Sequence, residues 1–176
     1  MSDEHKNVRV LFVCLGNICR SPTAHGVFEH LVQRDQLDQH IVVDSAGTGD
    51  WHIGRAPDER SSAAASQRGY DLTTLRARQV CAADFEQFDY ILAMDRQNLR
   101  DLQRMQPANF AGELGLLLSY GEHGEDEVPD PYYGDGSGFE RVLDLVENAS
   151  QHLLQTIIER HALPCRESRN ALRRPK

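Results

Sequence analysis

Cys14 and Arg20 stand six positions apart in VLFVCLGNICRSPTAHG (10–26), where an apolar run breaks into a short loop. As a thiolate, a cysteine attacks electrophiles, and an arginine presents a planar fork that matches two oxygens of a tetrahedral oxyanion. Gly16 and Asn17, inside the loop, are residue types that tolerate positive φ, which the chain needs in order to turn several amides inward. Ser21-Pro22 reads as an N-cap followed by a first helical residue. The loop is therefore expected to end on a helix N-terminus, whose free N–H groups and dipole favour an anion. A thiolate among convergent N–H groups and beside a guanidinium is held in its attacking form. The stretch reads as a phosphate cradle with a nucleophile at its floor. The Cys-to-Arg spacing alone is a weak signal, and its specificity comes from the strand before it, the Gly-Asn pair within it and the Ser-Pro after it.

Such a loop needs rigid elements around it. VRVLFVC (8–14), IVVDSAG (41–47), DYILAMD (89–95) and GLLLSY (115–120) are apolar on both faces, as strands of a buried parallel sheet are. Between them, 22–34, 58–68 and 95–105 have helical character. After Asp135, Phe139, Val142, Leu143, Val146, Leu153, Leu154, Ile157 and Ile158 form one apolar stripe, which predicts a long closing helix. Alternating strands and helices imply right-handed crossovers and a single-domain, doubly wound α/β sheet. In that architecture ligands bind at the carboxyl ends of the strands, and Cys14 closes the first strand.

Composition narrows the function classes. The 176 residues carry a net charge of −8, and the last eleven positions hold five basic residues, so the body is more acidic still. An acidic body argues against a nucleic-acid surface. No run reaches the about 18 apolar residues of a membrane span, and MSDEHKNVR lacks the apolar core of a signal peptide, which points to a cytoplasmic protein. Cys14, Cys19, Cys81 and Cys165 have neither zinc-ligand spacing nor the density of a disulfide framework. The polar, basic tail after Pro164 is expected to be disordered.

VCLGNICRSP resembles the active-site loop of the low-molecular-weight protein tyrosine phosphatases. DSAGTGDWHIGRAPDERS, ARQVCAADFEQFDYILAMDRQNLRDL and VPDPYYG follow as that family's later blocks, in its order. The resemblance covers residues 6–161, leaving 1–5 as an extension and 162–176 as the tail. It implies a four-stranded parallel sheet flanked by helices, the phosphotyrosine phosphatase I-like fold, and dephosphorylation through a phosphocysteine with no metal or cofactor. Carried over by position, Cys14 is the nucleophile, Arg20 the phosphate clamp and Asp130 the general acid and base. Ser21 supports the thiolate, Asn17 shapes the loop, and Leu15, Gly16, Ile18 and Cys19 complete the substrate-binding loop. The implied partners are tyrosine-phosphorylated proteins and a cognate tyrosine kinase. One departure stands out: animal members place a histidine before ARQ that braces the loop, whereas TTLRARQ carries Leu75 there.

Leaving-group chemistry supports Asp130 independently. An aryl phosphate needs its leaving oxygen protonated, and the same group then activates water against the phosphocysteine. Asp130 lies between Pro129 and Pro131, which stiffen the backbone. Tyr132 and Tyr133, with Trp51 from another loop, are expected to wall a slot deep enough for a phenyl ring. A serine phosphate is too short to reach its floor. Ile18 favours phosphotyrosine, because related arginine phosphatases carry a smaller Thr there. His52 reads as a solvated loop histidine, and His25 and His30 as surface or partly packed residues. Cys19 is expected to form a reversible disulfide with oxidised Cys14, which would make the protein redox-regulated. Two rivals remain: a thiol-dependent arsenate reductase, which needs further cysteines near the third strand's end, and a non-catalytic phosphotyrosine-binding module.

Overall fold

The computed structural model describes residues 7–164; the 1–5 extension, Cys165 and most of the basic tail lie outside them. Four strands, β1 (Val8–Cys14), β2 (Ile41–Gly47), β3 (Tyr90–Ala93) and β4 (Glu113–Leu116), form one parallel sheet in the order β2-β1-β3-β4. β1 is central and alternates sides, sending Val10, Phe12 and Cys14 into one core and Leu11 and Val13 into another. This two-sided burial is what the unbroken apolar run demanded.

The larger core is closed by α1 (Arg20–Arg34), α2 (Glu59–Gln67) and α5 (Ser137–Arg160). On α5, Phe139, Val142, Leu143, Val146, Leu153, Leu154 and Ile157 are all buried, each contributing about 1.5–3 kcal/mol of apolar burial. The smaller core is covered by α3 (Asp84–Gln87) and α4 (Arg96–Met105), through Phe85 and Leu102. The chain leaves β1 toward β2 on one side, while β3 pairs with β1 on the other. The crevice between the carboxyl ends of β1 and β3 is therefore the topological switch point, where doubly wound sheets bind ligands.

Several elements depart from the sequence expectation. The fourth strand ends at Leu116, and residues 117–120 form a 3₁₀ turn that sends Leu117 and Leu118 into the same core, where strand alternation would point them to opposite faces. β3 is shorter than 89–95 because Asp95 leaves the sheet to cap α4, accepting from the Asn98 N–H. α3 was not legible at all, being a single turn. The first helix begins at Arg20 rather than Pro22, and Ser21 is not its cap. The Cys19 carbonyl takes the first helical bonds, from the Thr23 N–H and hydroxyl, and the Ser21 hydroxyl is used elsewhere.

Candidate active site

The loop between β1 and α1 curls around the Cys14 sulfur. Asn17 sits at φ 56°, the left-handed conformation expected of the Gly-Asn pair, although it is Asn17 and not Gly16 that adopts it. That turn aims the Asn17 N–H at Cys14 Sγ, 3.3 Å away. The Ser21 hydroxyl lies 3.0 Å from the same sulfur. Asn17 Nδ2 donates to Ser21 Oγ at 2.7 Å, which occupies a lone pair of that oxygen and leaves its one proton to the sulfur at 3.0 Å or to the Ala46 carbonyl at 3.3 Å. Asn17 and Ser21, expected among the substrate contacts, are both buried beneath the loop. They hold the sulfur from below.

Asn17 is itself braced. Its Oδ1 accepts from the Arg78 main-chain N–H at 3.0 Å. Gln79, next to Arg78, pairs with Gly47 as an isolated bridge beyond β2. Arg78 is fixed in turn by its ion pairs with Asp84 and Asp44. Leu75, at the position of the bracing histidine of the family's animal members, packs half-buried against the larger core.

Arg20 opens α1 with its side chain buried. Its Nη1 donates to Asp95 Oδ2 at 2.6 Å and to the Val128 carbonyl at 3.1 Å. Its Nη2 lies 3.7 Å from Asp130 Oδ2. Burial works against the guanidinium's charge, but Cys14, Asp95 and Asp130 outweigh it and raise its pKa. Arg20 is thus a fixed cation, pinned by one nitrogen. Asp95 was missed in the sequence because its capping role already accounts for an aspartate at that position. Only the adjacency of β1 and β3 brings it to Arg20.

Asp130 is exposed and accepts from the Tyr132 N–H at 3.0 Å in a tight turn. Pro131 is buried beneath it. The acid loop docks on the sheet through the Val128 N–H, which donates to the Met94 carbonyl. Cys14, Leu15, Gly16, Ile18, Cys19, Arg20, Trp51, His52, Asp130, Tyr132 and Tyr133 line one cleft of about 440 Å³. Its outer wall is less enclosed than expected, since Trp51 is 67% and Tyr133 91% exposed, with Tyr133 leaning edge-on against Tyr132. His52 belongs to this lining, which a lone loop histidine did not signal.

Cys19 is buried, and its thiol is pushed up to about 12, first by that burial and then by the nearby Asp58 and Cys14, against a hydrogen bond with Ser61. Cys81 is exposed and outside the cleft. His25, expected at or near the surface, is buried between Ser45 and Glu29, whereas His30 is exposed and meets the Tyr70 ring edge-on. Among the described residues no group of three or more His, Cys, Asp or Glu is arranged to hold a metal, and no helix is long and apolar enough to cross a membrane.

Residues 9–163 match the sequence profile described as low molecular weight phosphotyrosine protein phosphatase. This chain belongs to that family. By that membership it is a hydrolase. A low molecular weight phosphotyrosine protein phosphatase of Sus scrofa is 47% identical over 150 residues, 84% of this chain and 94% of the pig protein. Among solved structures, a protein tyrosine phosphatase of Entamoeba histolytica with Hepes in its active site superposes with a TM-score of 0.84. It is 38% identical, and the match covers 87% of this chain and 98% of the other. A Drosophila arginine phosphatase has the same fold, with a TM-score of 0.78 and 36% identity over 84% of this chain and 96% of its own.

Proposed function

We propose that this phosphatase hydrolyses phosphotyrosine, and small aryl phosphates, by way of a phosphocysteine on Cys14. The observation that carries the reading is the convergence on one cleft of a sulfur approached by the Asn17 N–H and the Ser21 hydroxyl, a pinned Arg20, and Asp130 3.7 Å from that arginine. The Cys14 thiolate attacks phosphorus in line with the aryl oxygen. As the S–P bond forms and the P–O bond breaks, Asp130 gives its proton to the departing phenolate. The Asp130 carboxylate then takes a proton from water, whose oxygen displaces sulfur and releases phosphate. Arg20, with Nη1 committed to Asp95 and Val128, offers its remaining edge to two phosphate oxygens, and Asp95 sets that edge's direction. No step asks for a metal or cofactor.

Leu15, Gly16, Ile18 and Cys19 contribute loop surface to the substrate, while Trp51, Tyr132 and Tyr133 offer flat faces to its ring. Ile18, half-buried in the cleft, favours an aromatic side chain over a phosphoguanidinium, which distinguishes this reading from an arginine phosphatase. Tyrosine-phosphorylated proteins are the substrates and their kinase the upstream partner, in a cytoplasmic setting. Cleft cysteines other than Cys14 and Cys19 do not occur among the described residues, which weighs against an arsenate reductase. The test is a series of aryl phosphates of rising leaving-group pKa. Cys14→Ser should abolish turnover, and Asp130→Asn should lose about 10²–10⁴-fold on poor leaving groups and far less on good ones. Equal losses across the series would remove Asp130 from the acid role, and turnover by Cys14→Ser would remove the phosphocysteine.

A further inference from the structure

Arg60, on α2, lies outside the cleft lining yet touches the machinery on both sides. Its guanidinium grips Asp58 with two nitrogens, Nε at 3.1 Å from Oδ1 and Nη2 at 3.0 Å from Oδ2. Asp58 caps α2, and its own N–H donates to the Ile18 carbonyl at 2.8 Å, inside the nucleophile loop. In the other direction, Arg60 Nη2 donates to the Tyr132 carbonyl at 3.2 Å. The Tyr132 N–H in turn donates to Asp130 Oδ1. A continuous run of hydrogen bonds thus joins the loop that holds the sulfur to the carboxylate beside it.

Packing fixes the same geometry. The Arg60 guanidinium carbon lies 4.8 Å from the Phe139 ring centroid and 5.4 Å from that of Tyr132, so one planar cation meets a buried ring of α5 and a cleft ring. An arginine serving only as the partner of a capping aspartate two residues away would need neither the rings nor an acceptor 72 positions along the chain. Asp130 is exposed; its carboxylate meets Arg20 Nη2 at 3.7 Å and the Tyr132 N–H, and the second of these contacts belongs to the main chain that Arg60 holds.

We propose that Arg60 is a positioning residue that sets the height of Asp130 above Cys14 by holding the Tyr132 main chain to the N-terminus of α2. This rests on Asp130 as the general acid. Arg60 touches no reacting atom, and its effect is confined to the step in which the leaving oxygen takes a proton. A fork is required, because one guanidinium must serve Asp58 and the Tyr132 carbonyl together while staying within reach of two rings, which an ammonium cannot do.

The experiment measures kcat/KM across the aryl phosphate series for wild type, Arg60→Ala, Arg60→Lys, Asp130→Ala and the Arg60→Ala/Asp130→Ala double variant, with inhibition by inorganic phosphate and thermal unfolding alongside. kcat/KM reports events through departure of the leaving group. Both Arg60 variants should lose about 10–100-fold on the poorest leaving groups and little on the best, the cost of a misplaced group rather than an absent one. Phosphate inhibition should stay within about twofold of wild type, since the cradle is intact. The double variant should lose nothing beyond Asp130→Ala, because there is no longer an acid to place. If Asp130→Ala steepens the leaving-group dependence and the Arg60 variants do not, or if the double variant loses further, the positioning role is overturned while the acid assignment stands. If Asp130→Ala leaves the dependence unchanged, the acid assignment itself falls, and this inference with it.

Discussion

Replacing Asn17 separates the strain in the nucleophile loop from its hydrogen bonds. Asn17→Ala places an ordinary L-residue at φ 56°, which costs about 1 kcal/mol more than a residue suited to that region. It also removes the acceptor of the Arg78 N–H and the donor to buried Ser21 Oγ. Ser21 Oγ keeps Cys14 Sγ and the Ala46 carbonyl, so the loss falls on the Arg78 N–H, and leaving one such group unpaired costs about 1–3 kcal/mol. The sum is about 3 kcal/mol, and at about 2–4 °C per kcal/mol for a chain of this size the melting temperature should fall by about 10 °C. Asn17→Gly relieves the φ strain but restores neither hydrogen bond, so it should recover about 1 kcal/mol of the loss and no more. Activity should divide differently. Both variants free the Ser21 hydroxyl to turn away from Cys14, so both should lose kcat/KM on aryl phosphates to a similar degree, about tenfold or more. Urea denaturation with steady-state kinetics on the same preparations tests both halves. Equal stability of the Ala and Gly variants would refute the strain argument, and near-wild-type turnover in either would refute the claim that Asn17 orients Ser21.

Three further outcomes follow from the site. Arg20→Lys should abolish most activity and phosphate inhibition despite keeping the charge, because an ammonium cannot bond Asp95, the Val128 carbonyl and two phosphate oxygens at once; near-normal kinetics would dismiss the clamp. Asp95→Asn removes the charge and leaves one acceptor oxygen for the two donors Asp95 serves, Arg20 Nη1 and the Asn98 N–H, so phosphate inhibition and kcat/KM should weaken about 10-fold, measured against an unchanged leaving-group dependence. Peroxide should convert the Cys14 thiolate to a sulfenic acid, and the Cys19 thiol should condense with it, losing water and leaving a disulfide that dithiothreitol reduces. Burial holds Cys19 as the neutral thiol, so capture should be slow at neutral pH and quicken as the medium is made more alkaline. Cys19→Ser should start active and recover poorly after peroxide, and equal recovery in both proteins would make Cys19 structural.

What could be read from the sequence follows from where its physical signal lies. β1 was found residue for residue because a strand buried on both faces announces itself as a continuous apolar run, and β2, a half-buried edge strand, because its β-branched run closes on glycine. β4, at the sheet's edge, is half-buried throughout, and its leucines continue into a turn with no change in composition. Cys14, Arg20 and Asp130 could be singled out because each is a chemistry-bearing residue in a loop of distinctive composition, and the fold brings them to one cleft. The groups that hold them could not be singled out. Asp95 has a complete local explanation as a helix cap, Arg60 is a surface arginine until the fold lays Tyr132 across it, and the brace on Asn17 is a main-chain amide, which no residue type advertises.

That amide has a further consequence. A histidine brace gains and loses a proton near neutrality and can be abolished by many substitutions. A peptide N–H has no protonation state, and at position 78 only proline removes it. The support beneath the nucleophile is therefore blind to acidity at the donor itself, and every substitution at 78 but proline keeps the N–H, although losing Arg78 also loses the ion pairs to Asp44 and Asp84 that fix the segment. It depends on the path of the backbone through 78–80, so drift in the side chains of this segment leaves the catalytic loop untouched for as long as that path is kept.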